Sequence, residues 1–188
     1  MELVLIRHGL PERTSDTSDP PLSVTGFDQA DRVARWLATE PIEAVYSSTM
    51  LRAVQTAEPF VAAHNHTLGR HDGICEFDRA TGTYIPMEEL KRENYEAWQA
   101  LANGQHNIDI EDFTRVVVAT LEGIIATHPG QKVAVFCHGG VVNVWTAYVL
   151  GMPPRLFFEP AYTSIHRYMC ARSGQRNVLS LNETAHLR

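Results

Sequence analysis

Three short segments bring together residue types that can bind and transfer an anionic group. Arg7-His8-Gly9 follows an apolar run, Ser47-Ser48-Thr49 is followed by Arg52, and Cys137-His138 precedes Gly139-Gly140. One guanidinium group can bind two phosphate oxygens at once, and the free N–H groups at the start of a helix favour anions. A neutral imidazole is a nucleophile near pH 7, whereas an imidazolium is a hydrogen-bond donor. These residues therefore predict a phosphate site that can transfer a phosphoryl group through a covalent phosphohistidine.

Other phosphate chemistries have sequence signatures that this chain lacks. The pattern G-x-x-x-x-G-K-[ST] is absent, which argues against a P-loop nucleotide hydrolase. A cysteine-based phosphatase needs an arginine six positions after its cysteine, but Asn143 follows Cys137 and Thr81 follows Cys75 at that spacing. No G-x-S-x-G nucleophile elbow is present either. Histidine is therefore the best remaining nucleophile.

The elements that must position these residues are short buried strands. A continuous apolar run with Val and Ile predicts a buried strand over residues 3–6, and shorter apolar patterns predict strands over residues 42–46 and 133–137. Each chemical segment directly follows one of them, and Ser47, Ser48 and Thr49 are candidate N-caps of the next helix. In open α/β sheets, ligands bind outside the carboxyl ends of the strands. We therefore expect the three segments to converge at one edge of a sheet.

The rest of the pattern predicts the fold class. Apolar residues at helical spacing within residues 30–37, 53–61 and 113–125, and a helix opening at Gly139, alternate with the strands. This alternation predicts a three-layer α/β/α sandwich with a mainly parallel sheet, to which residues 165–171 and 178–181 add a C-terminal antiparallel hairpin. Residues 69–104 are less regular, apart from a predicted helix over 87–101. We interpret residues 1–188 as one domain in which residues 73–108 partly cover the pocket.

Composition limits the classes of partner and the compartment. The formal net charge is −6 and the sequence pI is near 5.8, which argues against a general nucleic-acid binder. The three cysteines, Cys75, Cys137 and Cys170, are far apart and fit neither a zinc site nor a secreted disulfide framework. They predict thiols in a reducing cytoplasm. No apolar segment reaches the roughly 18 residues of a membrane span, so we expect no membrane partner.

Four motifs in order resemble the histidine phosphatase superfamily, in its phosphoglycerate mutase-like branch. They cover most of the chain between residue 3 and about residue 165. The motifs are Arg7-His8-Gly9, Leu22-Ser23-Val24-Thr25-Gly26 with Gln29-Ala30, Ser47-Ser48 with Arg52 and Gln55-Thr56-Ala57, and Cys137-His138-Gly139-Gly140.

This resemblance implies a role for each matching residue. His8 is the nucleophile that becomes phosphorylated, while Arg7, Arg52 and His138 hold the phosphoryl oxygens beside the helix that opens at Gly139. Glu76 stands where the family places the carboxylate that protonates the leaving group and then activates water. The residues after Glu76 depart from the family pattern, so Asp78, Glu88 and Glu89 are alternative acids.

The expected function is metal-independent hydrolysis of a phosphomonoester, with a phosphorylated small molecule or a phosphoprotein as substrate and no cofactor. A phosphoglycerate-type mutase is the first alternative; the chain is shorter than those mutases and lacks their extra arginine-bearing segment. A phosphohistidine-protein phosphatase and a catalytically inactive phosphate-binding module are further alternatives. His64, His66 and His71 suggest a metal site, but no Cys or carboxylate with ligand spacing accompanies them. The oligomeric state does not follow from the sequence.

Overall fold

A computed structural model describes residues 1–14, 17–80, 87–102 and 109–188. The strands are β1 (Glu2–Arg7), β2 (Ala44–Ser48), β3 (Leu68–His71), β4 (Lys132–Cys137), β5 (Ile165–Cys170) and β6 (Arg176–Glu183). The helices are α1 (Val24–Leu37), α2 (Leu51–His64), α3 (Met87–Glu93), α4 (Tyr95–Ala102), α5 (Ile110–Thr127) and α6 (Gly139–Val149). Short 3-10 turns cover Asp72–Ile74, Phe77–Ala80 and Ala185–Leu187.

The six strands form one mixed sheet in the order β3-β2-β4-β1-β5-β6. The pairs β1–β4, β2–β4 and β2–β3 are parallel, while β1–β5 and β5–β6 are antiparallel. The carboxyl ends of β1, β2 and β4 therefore lie side by side, with β1 next to the antiparallel part.

Alternating side chains of the central strands bury two separate apolar layers. In β1, Leu3 and Leu5 pack with α5 and α6, whereas Val4 and Ile6 pack with α1 and α2. Both faces of the sheet are thus covered by helices, which explains why β1 is a continuous apolar run rather than an alternating one. The predicted three-layer α/β/α sandwich with a C-terminal antiparallel hairpin is confirmed.

Three details of the sequence interpretation are wrong. The second strand runs from Ala44 to Ser48, so Ser47 and Ser48 belong to the strand, and the N-cap of α2 is Met50. Residues 68–71 form β3, an edge strand that the sequence does not predict because Gly69, Arg70 and His71 give no apolar pattern. The helix predicted over residues 87–101 is divided into α3 and α4 at Asn94.

The interpretation of the whole chain as one domain stays a prediction. Of the predicted cover, the structure describes residues 73–80 and 87–102. Ion pairs of Arg13 with Glu93 (3.0 Å) and of Lys91 with Glu159 (3.3 Å) join α3 to two loops of the body. Within the described ranges, no helix has both the length and the apolar character that crossing a membrane requires.

Candidate active site

The ends of three parallel strands place the candidate residues at one level of the sheet. The register aligns Arg7 with Cys137 and Ser47 with Phe136. The His8 N–H continues the ladder by donating to the Cys137 carbonyl at 3.0 Å. The residues that directly follow these strands therefore meet at the carboxyl edge, as the sequence predicts.

Hydrogen bonds fix the tautomer of His8. Its Nδ1 lies 2.7 Å from the Gly9 carbonyl oxygen, which can only accept, so Nδ1 carries the proton. The lone pair of the neutral ring is then on Nε2, which accepts from Arg52 Nε at 3.3 Å. Burial, followed by the guanidinium groups of Arg52 and Arg7, holds the pKa of His8 well below its usual value. His8 is therefore a neutral imidazole with a nucleophilic Nε2.

A backbone contact fixes the loop that follows His8. A Cβ on Gly9 would lie 2.7 Å from the Gly26 carbonyl oxygen, and one on Gly26 would lie 2.1 Å from the Leu10 carbonyl oxygen. Only glycine allows this close approach of the loop to the first turn of α1. The Gly9 N–H donates to Thr56 Oγ1 at 3.0 Å, and the Leu10 N–H donates to Gln29 Oε1 at 2.8 Å. Gln29 and Thr56, from two of the other sequence motifs, thus fix the loop that follows His8.

Arg52 is fully buried in the first turn of α2. Its Nη1 donates to the Ser18 carbonyl at 3.1 Å and lies 3.5 Å from the Asp19 carboxylate. Both oxygens of that carboxylate accept from the Leu51 N–H at 2.9 Å. Asp19 therefore holds the start of the helix and the guanidinium together, which orients Arg52 Nε toward His8.

Arg7, whose charge also acts on the His8 ring, is buried as well. Its Nη1 donates to the Pro160 carbonyl, and its Cζ lies 4.0 Å from the centroid of the Tyr162 ring. The His8 ring is 5.7 Å from the same Tyr162 ring. No sequence motif identifies Tyr162, because it is distant from Arg7 and His8 in sequence and lies in a loop without a pattern.

His138 is the second buried imidazole, with its ring centroid 5.1 Å from that of His8. Its Nε2 is 2.7 Å from Ser48 Oγ, which also accepts from the Met50 N–H at 3.3 Å. Burial, followed by Arg52, His8 and Arg7, holds the pKa of His138 well below its usual value, so its ring is neutral, and a Ser48 hydroxyl that donates to Nε2 leaves the proton on Nδ1. Among the described residues, Nδ1 has no hydrogen-bond partner. Ser48, predicted as a helix cap, instead orients His138.

Glu76 is placed beside these cationic and neutral groups. Its Oε2 accepts from the Gly140 N–H at the start of α6 (2.9 Å), and its Oε1 accepts from the Phe77 N–H (3.2 Å). Burial raises the pKa of the Glu76 carboxyl, although the two N–H groups, Arg52 and Arg7 oppose that rise. A Cβ on Gly140 would lie only 2.1 Å from Glu76 Oε1. Glycine is therefore required there for the carboxylate to reach the helix N-terminus.

The structure thus brings together the residues to which the family resemblance assigns a role. The set comprises Arg7, His8, Arg52, Glu76, His138 and the α6 N-terminus at Gly139. Two guanidinium groups and the N–H groups of a helix surround a nucleophilic nitrogen, with one carboxyl of raised pKa nearby. Such an arrangement can bind a phosphoryl group, accept it on nitrogen and supply a proton to its leaving group.

The remaining candidates either lie outside the described part or are apart from this group. The side chains of Asp78, Glu88 and Glu89, the alternative acids, lie outside the described part. Burial and the Glu76 carboxylate raise the pKa of the Cys137 thiol, which disfavours a thiolate nucleophile. In the described ranges, no three His, Cys, Asp or Glu side chains form a group that could hold a metal ion. His64 and His66 pack against Phe60 instead, and His71 packs against Tyr46.

The fold and the site are those of an α/β protein that handles phosphate. Comparison with known sequences extends this description. The chain belongs to the histidine phosphatase superfamily, branch 1, whose sequence model matches residues 3–184. The resemblance found in the motifs is therefore confirmed.

Two curated relatives and one solved structure illustrate the similarity. Phosphoserine phosphatase 1 of Hydrogenobacter thermophilus is 28% identical over 204 residues, covering 100% of this chain and 94% of the relative. Phosphoglycerate mutase-like protein 4 of Arabidopsis thaliana is 29% identical over 161 residues, covering 76% and 68%. A phosphoserine phosphatase variant from Entamoeba histolytica, solved with phosphoserine, superimposes with a TM-score of 0.81 at 22% identity, covering 100% and 99%. That structure establishes the fold, and the family with its phosphatase relatives supports a phosphoric monoester hydrolase.

Proposed function

We propose that this protein hydrolyses the phosphomonoester of a small molecule through a phosphohistidine on His8, without a metal ion. The observation that carries the proposal is the tautomer of His8, whose Nδ1 donates to Gly9 and whose Nε2 faces Arg52. This arrangement leaves a lone pair on the nitrogen nearest to a phosphate-binding group. The names of the phosphoserine phosphatase relatives support a small phosphorylated substrate.

In the first step, His8 Nε2 attacks phosphorus in line with the ester oxygen. The P–N bond forms while the P–O bond breaks, and protonated Glu76 gives its proton to the departing oxygen. Arg7, Arg52 and the Nδ1–H of His138 bind the oxygens on which charge develops, together with the α6 N-terminus at Gly139. The raised pKa of Glu76 favours the protonated form that this step needs.

In the second step, water attacks the phosphohistidine. Glu76, now a carboxylate, accepts a proton from the water as the new P–O bond forms and the P–N bond breaks. The electron pair of the P–N bond returns to Nε2, and inorganic phosphate leaves. His8 regains the neutral state that its burial and the two arginines favour.

The test is to trap the covalent intermediate. Brief incubation with labelled substrate, followed by a quench, should leave phosphate on the wild-type protein in an acid-labile, base-stable bond. His8→Ala should retain its fold, lose turnover almost completely and trap no label. Label retained by His8→Ala would contradict the assignment of the nucleophile.

A mutase is the second candidate because one curated relative is a phosphoglycerate mutase-like protein. A mutase returns the phosphoryl group to another hydroxyl of the substrate rather than to water. Measurement of inorganic phosphate and of phosphate-isomer products from 3-phosphoglycerate distinguishes the two. We expect inorganic phosphate to account for the consumed substrate.

A further inference from the structure

A tight turn over residues 161–164 contacts the main chain of Arg7 and His8. The Ser164 N–H donates to the Ala161 carbonyl at 3.0 Å and closes the turn, called here the Tyr162 turn. The Arg7 N–H donates to the Ser164 carbonyl at 3.1 Å, and the Thr163 N–H donates to the His8 carbonyl at 3.2 Å. Because the Tyr162 ring also contacts both side chains, the position of this turn sets that of Arg7 and His8.

The Tyr162 turn contains a strained residue. Thr163 has a φ of +55° and is fully buried. For an L residue the left-handed region is disfavoured roughly tenfold, and a β-branched side chain is rarely found there. Such a conformation persists only where the surroundings hold it, and it is found most often at functional sites.

Two side chains near the C-terminus form hydrogen bonds with the Tyr162 turn. Thr163 Oγ1 donates to the Tyr162 carbonyl at 2.8 Å, so His186 Nε2–H donates to Thr163 Oγ1 at 3.1 Å. The Asn182 Oδ1 accepts from the Ala161 N–H at 2.8 Å. These contacts connect residues near the C-terminus with the turn that is hydrogen-bonded to the main chain of His8.

His186 is itself held in place. It lies in the 3-10 turn Ala185–Leu187, is 8% exposed, and its ring centroid is 6.3 Å from that of Trp36 on α1. Glu183 and Arg32 are the charged groups whose fields act on its imidazole. Its position is therefore set by two elements, α1 and the chain after β6, neither of which carries the nucleophile.

We propose that His186 is a positioning residue of the active site: by donating to Thr163 it holds the left-handed turn that places the Tyr162 ring against Arg7 and His8. The inference rests on the proposed roles of Arg7 and His8 in phosphoryl transfer. His186 touches no reacting atom, and its effect passes through Thr163.

Two substitutions of Thr163 separate this role from a general structural one. Thr163→Ala and Thr163→Gly both remove the hydroxyl that His186 contacts, but only alanine retains the cost of a positive φ. We expect Thr163→Ala to lower kcat/KM about tenfold and to raise the vanadate inhibition constant by a similar factor. Thr163→Gly should recover most of that loss, although it leaves the larger cavity.

Substitution of His186 completes the test. His186→Phe retains a ring without the donor and should lower kcat/KM about tenfold, mainly through kcat, because misplaced Arg7 stabilises the transition state less. The same change in the Thr163→Gly protein should cost less than about twofold, since the turn no longer needs the donor. His186→Gln, which keeps an N–H donor, should recover part of the activity. Leu187→Ala, in the same 3-10 turn, is the control and should leave kcat/KM unchanged.

All rates are measured per folded molecule, with urea unfolding and circular dichroism as the check of folding. If His186→Phe does not fold, the smaller loss expected of His186→Gln is compared between the same two backgrounds, beside the comparison of Thr163→Ala with Thr163→Gly. Equal activity of those two variants, or an equal cost of His186→Phe in both backgrounds, would overturn the inference. A wild-type protein that forms no phosphohistidine and is insensitive to vanadate would overturn the proposed function, and this inference with it.

Discussion

Replacement of Glu76 by glutamine tests the proton donor with little change in shape. In the structure both carboxylate oxygens accept an N–H, one from Gly140 at 2.9 Å and the other from Phe77 at 3.2 Å. A glutamine amide has a single oxygen, so it can satisfy only one of these donors and presents its NH2 to the other. The substitution therefore removes the acidic proton that the leaving group needs, and it also removes about one hydrogen bond to the main chain.

The two losses can be separated by the choice of leaving group. A lost hydrogen bond costs about 1 kcal/mol, or roughly fivefold, whichever substrate is used. Lost general acid catalysis costs a further 10²- to 10⁴-fold, about 3 to 5 kcal/mol, when an alkoxide must depart. p-Nitrophenolate leaves readily without a proton. Glu76→Gln should therefore lose about fivefold with p-nitrophenyl phosphate and at least about 500-fold with an alkyl phosphate.

The assay is kcat/KM for both substrates across pH. Because the first step needs protonated Glu76, wild-type activity should fall as pH rises through the raised pKa of this carboxyl, and Glu76→Gln should lack that alkaline limb. Asp72→Asn is the control, since Asp72 is an exposed acid of a neighbouring turn that pairs with Arg79. Equal losses with the two substrates would refute the reasoning. Leaving-group dependence in a variant of Asp78, Glu88 or Glu89 would assign the acid to that residue instead.

Three further predictions follow from the same geometry. Activity should survive excess chelator and be inhibited by vanadate well below substrate-like concentrations, because Arg7 and Arg52 neutralise phosphoryl charge; loss on chelation that zinc or magnesium restores would contradict this. Gly140→Ala should fold but lose at least about tenfold in kcat/KM with an alkyl phosphate, because its Cβ would lie 2.1 Å from Glu76 Oε1; wild-type kinetics would contradict the placement of the acid. Stability should fall with acidification below about pH 6.5, because burial lowers the pKa of His8, of His138 and of His166, the last to about 3. From these three histidines the unfolded chain then binds up to three protons that the folded chain does not, which contributes at most about 4 kcal/mol per pH unit; His186, whose pKa burial also lowers, adds to this, and Glu76, whose pKa is raised, opposes it. A free energy of unfolding, measured in urea, that stays constant between pH 7 and 5.5 would contradict the predicted fall in stability.

The sequence predicts the middle of the sheet better than its edge. β1 and β4 are buried on both faces and therefore appear as continuous apolar runs, which identify a strand without further information. β3 lies at the edge, and Gly69 within it receives the ring of Tyr46, so its sequence carries little apolar signal. The ends of strands carry a weaker signal, and the sequence therefore indicates a helix cap at Ser48 rather than a partner of His138.

In the candidate site, residues at the ends of buried strands can be predicted from the sequence, whereas contacts between residues far apart in the chain cannot. Arg7 ends a buried strand and His8 and His138 directly follow one, so parallel pairing alone brings them to one edge. For Glu76 the sequence offers only the resemblance to the family. Its contact with the N-terminus of α6 joins residues 64 positions apart, and no local pattern predicts such a contact. Tyr162 contacts a residue about 150 positions away, and no local pattern encodes such a contact.

The mutual contact of Gly9 and Gly26 sets a boundary for any redesign of substrate range. Each glycine faces main-chain atoms rather than a side chain, so no second substitution elsewhere can make room for a larger residue at either position. Libraries aimed at new substrates should therefore hold both positions constant. Glu12 and Arg13 are exposed just beyond this contact, and Arg13 reaches α3. Variation there changes the exposed charge of the loop that follows the nucleophile without touching either glycine.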